Sequence, residues 1–332
     1  MLTNLTLWPS SKEGSSEEKT DPLPHFRPTV GLALGGGAAR GWAHIGVIKA
    51  LLETGIRPDI VCGTSMGSVV GGCYLANKLE ELDAFSKELT KRKVFGLLDF
   101  AFGGSGLISG RKLSDLLAKR VGDIRIEDLD RPFVAISTEL GTGHEIWIKS
   151  GSLAHAMRCS YALPGVFEPV RLGGRWLVDG ALVNPIPVSA CRALGARVVI
   201  AVNLNYDNFG RGTTVVHDVP PAPPNSPSDF ENSREKSLGK AADKAMRRQF
   251  FGRKSRSLPG ISGVMMESFN IIQDRIGRSR LAGDPPDVTL SMRLGHIGLF
   301  DFHRAKETID VGYQTTIKSC PDILSLIDKI PS

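Results

Sequence analysis

The residues of this chain best suited by type and spacing for chemistry centre on Ser65, within Gly63-Thr64-Ser65-Met66-Gly67. The short apolar run 59–62 predicts a strand before the serine, and the apolar residues of 66–75 predict a helix after it. Gly63 and Gly67 are small because neighbouring backbone must pass close to such a turn. A Gly-x-Ser-x-Gly turn between a strand and a helix predicts an exposed nucleophile. The alternative is a plain glycine-rich turn that binds a phosphate.

A second candidate feature is the run Gly35-Gly36-Gly37-Ala38-Ala39-Arg40-Gly41. Consecutive glycines let backbone N–H groups converge into an anion nest, and a helix N-terminus and Arg40 add positive charge. The dinucleotide fingerprint fails here, and no Gly-Lys-Ser/Thr follows. The run therefore favours an oxyanion hole over a nucleotide site or a structural turn.

A third candidate feature is Val178-Asp179-Gly180-Ala181, which follows a predicted strand. Active sites of α/β proteins assemble where the strands of a parallel sheet end. Asp179 is thus a candidate catalytic group, although an aspartate at such a point is more often a turn or N-cap residue.

The composition indicates an ordinary globular chain of 332 residues with 41% hydrophobic content. No run approaches 18 apolar residues, so no transmembrane helix is predicted. Residues 1–28 are polar and lack the apolar stretch of a secretory signal, so we expect a flexible N-terminal tail. The five cysteines form no Cys-x-x-Cys pair, which favours reduced thiols, a cytoplasmic setting and no zinc site.

Strand and helix signals alternate from residue 29 onward. This pattern predicts an α/β fold with a mostly parallel central sheet covered by helices on both faces. The predicted strands lie at 29–34, 60–62, 133–137, 145–148 (a hairpin arm), 175–178, 197–202 and 287–292. The predicted helices lie at 42–54, 65–75, 79–91, 152–161, 187–194, 264–276 and 302–316.

The alternation breaks at 220–227, where five of eight residues are proline, so no core element passes through that stretch. We therefore expect a catalytic core at 29–205 and a Pro-rich, basic insertion loop at 206–260. The C-terminal part, 261–332, is expected to complete the same domain.

Taken in order, Gly-Gly-x-x-Arg-Gly, Gly-x-Ser-x-Gly and Asp-Gly-Ala resemble the motifs of a patatin-like phospholipase domain. The likeness is closest to bacterial members labelled neuropathy-target-esterase-like. The stretches 138–143 and 160–169 agree with it, and the resemblance covers 29–205 well and the C-terminal part more loosely. It implies a three-layer α/β/α fold and a lipid acyl hydrolase of phospholipase or lysophospholipase type. No metal-ligand cluster is visible in the sequence, so we expect no metal and no cofactor.

The resemblance also implies a Ser–Asp dyad without histidine, in which Ser65 is the nucleophile and Asp179 the base. Asp179 would take the Ser65 proton, Ser65 would attack an ester carbonyl, and Asp179 would then activate the water that clears the acyl-enzyme. An ordinary aspartate has a pKa near 4 and is a poor base at neutral pH. We therefore expect a partly dry site to raise the pKa of Asp179.

For the glycine loop, the resemblance implies that the N–H groups of Gly36, Gly37 and Ala38 form the oxyanion hole and that Arg40 supports the loop. Plant members begin this loop with Asp-Gly-Gly-Gly, whereas this chain has Gly35 at the first position and Ala38 at the last. An alanine does not readily adopt positive φ, so the sequence leaves the loop geometry at Ala38 open, although its N–H can still donate.

Two alternatives stay open. A Ser–His–Asp triad esterase would need a histidine after the acid, for which His296 and His303 are the candidates. For His44, close behind the glycine loop, a packing or loop-supporting role is favoured. The other alternative is a regulatory protein that binds lipid with weak or absent turnover.

The positive charge of the chain is concentrated in Arg234–Arg256, where nine basic residues face two acidic ones. Drawn as a helix, the part from Leu238 to Phe250 is basic on one side and apolar on the other. This favours peripheral contact with an anionic membrane, at its inner face in a cytoplasmic protein. A solvated loop is an equal alternative. Nucleic-acid binding is disfavoured because few aromatic residues interleave with the charges. The sequence leaves the oligomeric state open.

Overall fold

The structure, a computed structural model, describes residues 29–97, 110–207 and 261–330. The predicted tail 1–28 and most of the insertion, including Arg234–Arg256, lie outside the described residues.

One eight-stranded sheet organises the described chain. Its strands are β1 (Val30–Leu34), β2 (Ile60–Thr64), β3 (Phe133–Glu139), β4 (Glu145–Ile148), β5 (Val170–Leu172), β6 (Arg175–Asp179), β7 (Val198–Asn203) and β8 (Val288–Ser291). The order is β5-β6-β3-β2-β1-β7-β8, and β4 pairs with β3. The strands β3, β2, β1, β7 and β8 run parallel, whereas β4, β5 and β6 pair antiparallel.

The helices lie on both faces of this sheet. They are α1 (Ala43–Glu53), α2 (Met66–Leu75), α3 (Leu79–Lys87), α4 (Lys91–Leu97), α5 (Arg111–Val121), α6 (Leu153–Ser160), α7 (Val188–Ala193), α8 (Ile261–Gly283) and α9 (Ala305–Lys329). Short 3-10 helices occupy Ala38–Trp42, Ile126–Asp128, Gly180–Leu182 and Phe302–Arg304. The central strands β1 and β2 are buried along their whole length, as expected for strands covered on both sides.

Two apolar cores separate the layers. The larger contains side chains of α1, α2, α6 and α9, and the smaller contains side chains of α7 with the opposite faces of the central strands. The predicted α/β fold with a mostly parallel sheet and helices on both faces is therefore confirmed.

Helices α1 and α9 pack with their backbones in close contact. A Cβ atom on Gly46 would collide with the Ile309 carbonyl oxygen, and one on Gly312 would collide with the Ala43 carbonyl oxygen. Glycine at both positions removes the side chain that would otherwise separate the helices. Because α1 directly follows the glycine loop, α9 supports that loop from behind.

The structure differs from the predicted elements in several places. The predicted helix 79–91 is two helices, α3 and α4, and the predicted helix 302–316 continues as α9 through Pro321. Helix α5 and strand β5 were not predicted. Strand β5 has only three residues and is defined by its pairing with β6, which no local pattern records.

Two further findings concern the whole described chain. None of its helices is long and apolar enough to cross a membrane. All five cysteines carry free, buried thiols.

Candidate active site

Ser65 occupies a strained turn between β2 and α2. Its backbone has φ of 55° and ψ of −122°, in the left-handed half of conformational space that favours glycine. A Cβ atom on Gly67 would collide with the Leu34 carbonyl oxygen, and one on Gly63 would lie 2.5 Å from the Gly67 backbone. The two motif glycines therefore let β1 and β2 pass close to the first turn of α2, which directly follows the serine.

The backbone of Ser65 is held by a second serine. The Ser65 N–H donates to Ser160 Oγ at 2.9 Å, and the Ser160 hydroxyl donates to the Ile136 carbonyl oxygen. The link therefore joins the nucleophile turn to α6 and β3. Sequence reasoning did not single out Ser160, which lies 95 residues from Ser65.

Asp179 accepts a hydrogen bond from Ser65. The Ser65 hydroxyl donates to Asp179 Oδ2 at 2.7 Å, and the Ala181 N–H donates to Oδ1 at 2.8 Å. The Asp179 backbone is fixed as well, because the Thr138 hydroxyl donates to its carbonyl oxygen and its N–H donates to the Ala162 carbonyl oxygen. Both carboxylate oxygens thus have a partner, and one partner is the candidate nucleophile.

The environment of Asp179 disfavours its charge. The residue is only 2% exposed. Burial raises the pKa of Asp179 to about 7, against the opposing effect of the hydrogen bonds from Ser65 and Ala181. The direction agrees with the expectation from sequence, and the value lies where a general base at neutral pH would be useful.

Of the three glycine-loop N–H groups predicted as oxyanion donors, one already donates a hydrogen bond within the described chain and two do not. Gly36 donates to the Pro185 carbonyl oxygen at 2.9 Å, so this N–H, predicted as an oxyanion donor, is already used in the structure. The N–H groups of Gly37 and Ala38 have no acceptor among the described residues. Ala38 adopts φ of 47°, so the alanine does enter the left-handed region that glycine would occupy more easily.

The peptide groups that carry the two free N–H groups are held at their carbonyl ends. Asn205 Nδ2 donates to the Gly36 carbonyl oxygen at 3.4 Å, and the Arg40 N–H donates to the Gly37 carbonyl oxygen at 3.0 Å. A further free N–H belongs to Met66, the residue after Ser65. This N–H has no acceptor within the described chain, and Met66 lines the same pocket as Ser65. The residue after the nucleophile commonly supplies an oxyanion donor in serine hydrolases, so Met66 joins the candidates.

Arg40 is buried behind the loop. Its Nε donates to the Ile297 carbonyl oxygen at 2.9 Å and its Nη1 to Asn205 Oδ1 at 3.0 Å. Desolvation lowers the pKa of Arg40 below its usual value. Its hydrogen bonds therefore tie the loop to the C-terminal part of the chain.

The two histidines considered for a triad differ in their surroundings. His296 Nε2 lies 2.9 Å from Glu307 Oε1, whereas His303 Nδ1 is buried without a hydrogen-bond partner, 4.0 Å from Asp301 Oδ1. No histidine in the described ranges hydrogen-bonds to Ser65 or Asp179. His44 is fully buried, its pKa is lowered to about 4 by desolvation, and its Nε2 contacts the Gly35 carbonyl oxygen at 2.7 Å. It is therefore a neutral donor beneath the glycine loop.

An apolar pocket opens at the Ser65–Asp179 pair. Its walls come from α3, α4, α5, α8 and residues 299–302, with Phe85, Leu117 and Phe269 among the lining side chains. Such a pocket suits a hydrocarbon chain. Among the residues that the structure describes, no group of His, Cys, Asp and Glu side chains could hold a metal ion.

The family model and the sequence relatives agree on one family. Residues 32–192 match the family model of patatin-like phospholipases. An uncharacterized NTE family protein of Mycobacterium tuberculosis is 32% identical over 329 residues, covering 86% of this chain and 89% of that protein. The neuropathy target esterase of Drosophila melanogaster is 34% identical over 183 residues, covering 53% of this chain and 13% of its own. Among solved structures, VipD from Legionella pneumophila aligns over 92% of this chain and 80% of its own, with 13% identity and a TM-score of 0.35.

Proposed function

Because the chain belongs to the patatin-like phospholipase family, with NTE proteins as relatives, we propose that it hydrolyses acyl lipid esters through Ser65 and Asp179. Membership makes the chain a hydrolase of the esterase or phospholipase type. The proposal adds two points to this: that Ser65 and Asp179 act as a catalytic dyad, and that the substrates are acyl lipid esters. The observation that carries it is the 2.7 Å hydrogen bond from the Ser65 hydroxyl to the buried Asp179 carboxylate at an apolar pocket.

In the first half-reaction, Asp179 Oδ2 takes the proton of the Ser65 hydroxyl while Ser65 Oγ bonds to the ester carbonyl carbon. Negative charge then develops on the carbonyl oxygen. The free N–H groups of Gly37 and Ala38, with that of Met66, are the proposed donors to this oxyanion. Collapse of the tetrahedral intermediate breaks the ester C–O bond, and the leaving alcohol receives the proton from Asp179.

In the second half-reaction, Asp179 takes a proton from a water molecule, and the resulting hydroxide attacks the acyl-enzyme carbonyl. The C–O bond to Ser65 breaks, and the proton held by Asp179 returns to Ser65 Oγ. A carboxylic acid leaves, and both side chains regain their starting states. One carboxylate thus serves both halves, as a histidine does in a triad enzyme.

The pocket supports an acyl chain as the part of the substrate that enters it. Its lining is apolar except for a few side chains, among them Ser65, Asp179 and Gln273. A buried hydrocarbon gains about 0.8 kcal/mol per CH₂ group, so affinity should rise with chain length until the pocket is filled.

Hydrolysis of acyl esters of increasing chain length tests the proposal. We expect an optimum chain length in the parent protein and a loss of at least about 1,000-fold in kcat for Ser65→Ala and for Asp179→Asn. The matched control is Ser68→Ala, which removes a hydroxyl one turn away that donates to the Ser65 carbonyl oxygen. Loss in Ser65→Ala alone would point to another base, and absence of turnover in the parent would favour the lipid-binding alternative.

Contact with an anionic membrane is a separate proposal, supported by the charge of Arg234–Arg256. This segment lies outside the described residues, so its support is the sequence alone.

A further inference from the structure

Three buried side chains form a hydrogen-bonded series behind the glycine loop. Arg40 Nη1 donates to Asn205 Oδ1 at 3.0 Å, and Asn205 Nδ2 donates to Gln273 Oε1 at 3.2 Å. The three residues are 5%, 8% and 4% exposed, in that order. They come from the glycine loop, the end of β7 and α8, so the series joins parts of the chain that are distant in sequence.

The chemistry of Arg40 fixes the direction of the whole series. A guanidinium group has donors only, so the side-chain oxygen of Asn205 must face it. The NH₂ group of Asn205 then faces the Gly36 carbonyl oxygen and Gln273, as the structure has it. Because that NH₂ group needs an acceptor, the oxygen of Gln273 must face Asn205. Each amide has a single orientation that satisfies its neighbour.

In this orientation the side-chain oxygen of Gln273 faces Asn205, and its NH₂ group faces away from Asn205. No hydrogen bond from Gln273 Nε2 to another described residue is present, and Gln273 lines the apolar pocket together with Ser65 and Asp179. This donor is accessible from the cavities that Gln273 lines, since Nε2 is not one of the fully buried side-chain atoms left without a partner. A ligand oxygen in the apolar pocket can therefore accept a hydrogen bond from it.

Gln273 also stands between two cavities that differ in polarity. The second is a groove formed by α8 and the ends of β7 and β8, called the polar groove because it is more polar than the apolar pocket, with Asn203, Ser291 and Arg293 among its lining residues. The apolar pocket and this groove share Gln273. An amphiphile has the same division between a hydrocarbon chain and a polar part.

We propose that Gln273 is a substrate-binding residue whose Nε2 donates to a hydroxyl oxygen of the alcohol part of a glycerolipid. The acyl chain lies in the apolar pocket, and the alcohol part points toward the polar groove. The identity of the ligand as an acyl ester rests on the proposed function. The Gln273 Nε2 donor would distinguish a glycerol ester from an ester of a simple alcohol, because only the glycerol part carries hydroxyl groups.

The test measures binding in the full chain carrying Ser65→Ala, so that the result does not depend on turnover. The two ligands are 1-octanoylglycerol and methyl octanoate, which share the acyl chain and the ester and differ in the glycerol hydroxyls. Calorimetric titration below the micelle concentration gives both Kd values, and their ratio reports the preference for the glycerol ester.

We expect Gln273→Met to lower this preference about fivefold to tenfold, the effect of one hydrogen bond. Asn205→Asp is expected to lower it as well, because an aspartate presents only acceptors and turns the Gln273 amide around. The matched control is Phe269→Leu, one turn earlier on α8, which trims the apolar wall and should weaken both ligands alike. Thermal unfolding verifies that each variant is folded.

An unchanged preference in Gln273→Met would overturn the proposal, and an unchanged preference in Asn205→Asp would overturn the role of the series in orienting Gln273. If Phe269→Leu lowered the preference for the glycerol ester as much as Gln273→Met does, that result would also overturn the proposal. Failure of the proposed function is seen separately, as absent turnover in the protein with Ser65 intact.

Discussion

A single side chain, Asp179, has two properties that oppose each other. It is the proposed base, which must be ionised to act, and it is buried, which disfavours ionisation. Its hydrogen bonds from Ser65 and Ala181 favour the charged form but do not outweigh burial. Two pH effects follow, one on rate and one on stability.

The rate of acylation should rise with pH. Only the fraction of molecules with ionised Asp179 can accept the Ser65 proton, and the pKa of Asp179 is about 7. We expect the single-turnover rate with p-nitrophenyl octanoate to increase up to a plateau above about pH 8. A flat profile through neutral pH, or an inflection near the ordinary aspartate value of about 4, would contradict this assignment.

The stability of the fold should fall as the pH rises, whereas the rate of acylation rises. The pKa of Asp179 is raised from 3.8 to about 7, so the folded state binds the proton more tightly than the unfolded chain. Stability from this group is therefore present below about pH 4 and is lost as the pH rises to about 7. Asp179→Asn cannot ionise, so its Tm should exceed that of the parent increasingly over this range.

Scanning calorimetry at pH 4.5 and pH 8 measures the difference. The control is Asp59→Asn, another aspartate that accepts a backbone N–H, that of Val30, away from the pocket. A Tm difference between Asp179→Asn and the parent that is equal at the two pH values would show that the charge of Asp179 is not the cause.

Some residues of the site follow from local motifs and others do not. Ser65 and Asp179 lie in short patterns whose turn chemistry can be recognised without a structure. Ser160, Asn205 and Gln273 act through hydrogen bonds to residues far away in sequence, so no local pattern marks them. Gly36 was predicted as an oxyanion donor, and only the contact with Pro185 shows that its N–H is engaged.

At the scale of elements, three connections assemble the site. The glycine loop follows β1, Ser65 follows β2, and Asp179 ends β6, which pairs antiparallel with β3. The sequence predicts the buried central strands well, because strands covered on both faces are continuously apolar. It does not predict that β6 enters antiparallel, since that depends on pairing between distant segments.

The contact between α1 and α9 gives a test at this scale. Gly312→Ala would place a methyl group against the Ala43 carbonyl oxygen. We expect the free energy of unfolding to fall by about 1–3 kcal/mol, as for other overpacked sites. Urea denaturation measures it.

The control for this substitution is Gly96→Ala, in helix α4, where an added Cβ atom meets nothing within 4 Å. Alanine is a better helix former than glycine by about 1 kcal/mol, so the control should be unchanged or more stable. If Gly312→Ala and Gly96→Ala changed the free energy of unfolding equally, the α1–α9 contact would tolerate a methyl group.

For the molecule as a whole, we propose that the C-terminal part completes the same domain as residues 29–205. Strand β8 pairs with β7, helix α9 packs on α1, and helix α8 forms one wall of the pocket. The sequence predicts this return to the sheet because strand and helix signals resume after the proline-rich stretch. It does not indicate which edge of the sheet β8 joins.

The membrane proposal also belongs to this scale. Basic residues near an anionic surface contribute up to about 1 kcal/mol each, and salt screens the attraction. We expect the full chain to co-sediment with anionic vesicles at low salt and less at high salt, and a chain lacking residues 234–256 to bind more weakly at low salt. Neutral vesicles serve as the control, and equal binding by the two chains would contradict the proposal.

The burial of all five thiols has a consequence for chemical labelling. Burial also raises the pKa of Cys73 and of Cys159 to about 12, so few thiolates exist even when a reagent arrives. A thiol-directed electrophile should therefore leave the native molecule unmodified and react only when the chain opens. Maleimide uptake then reports excursions from the native state, while a fluorophosphonate aimed at Ser65 would count intact active sites in the same sample.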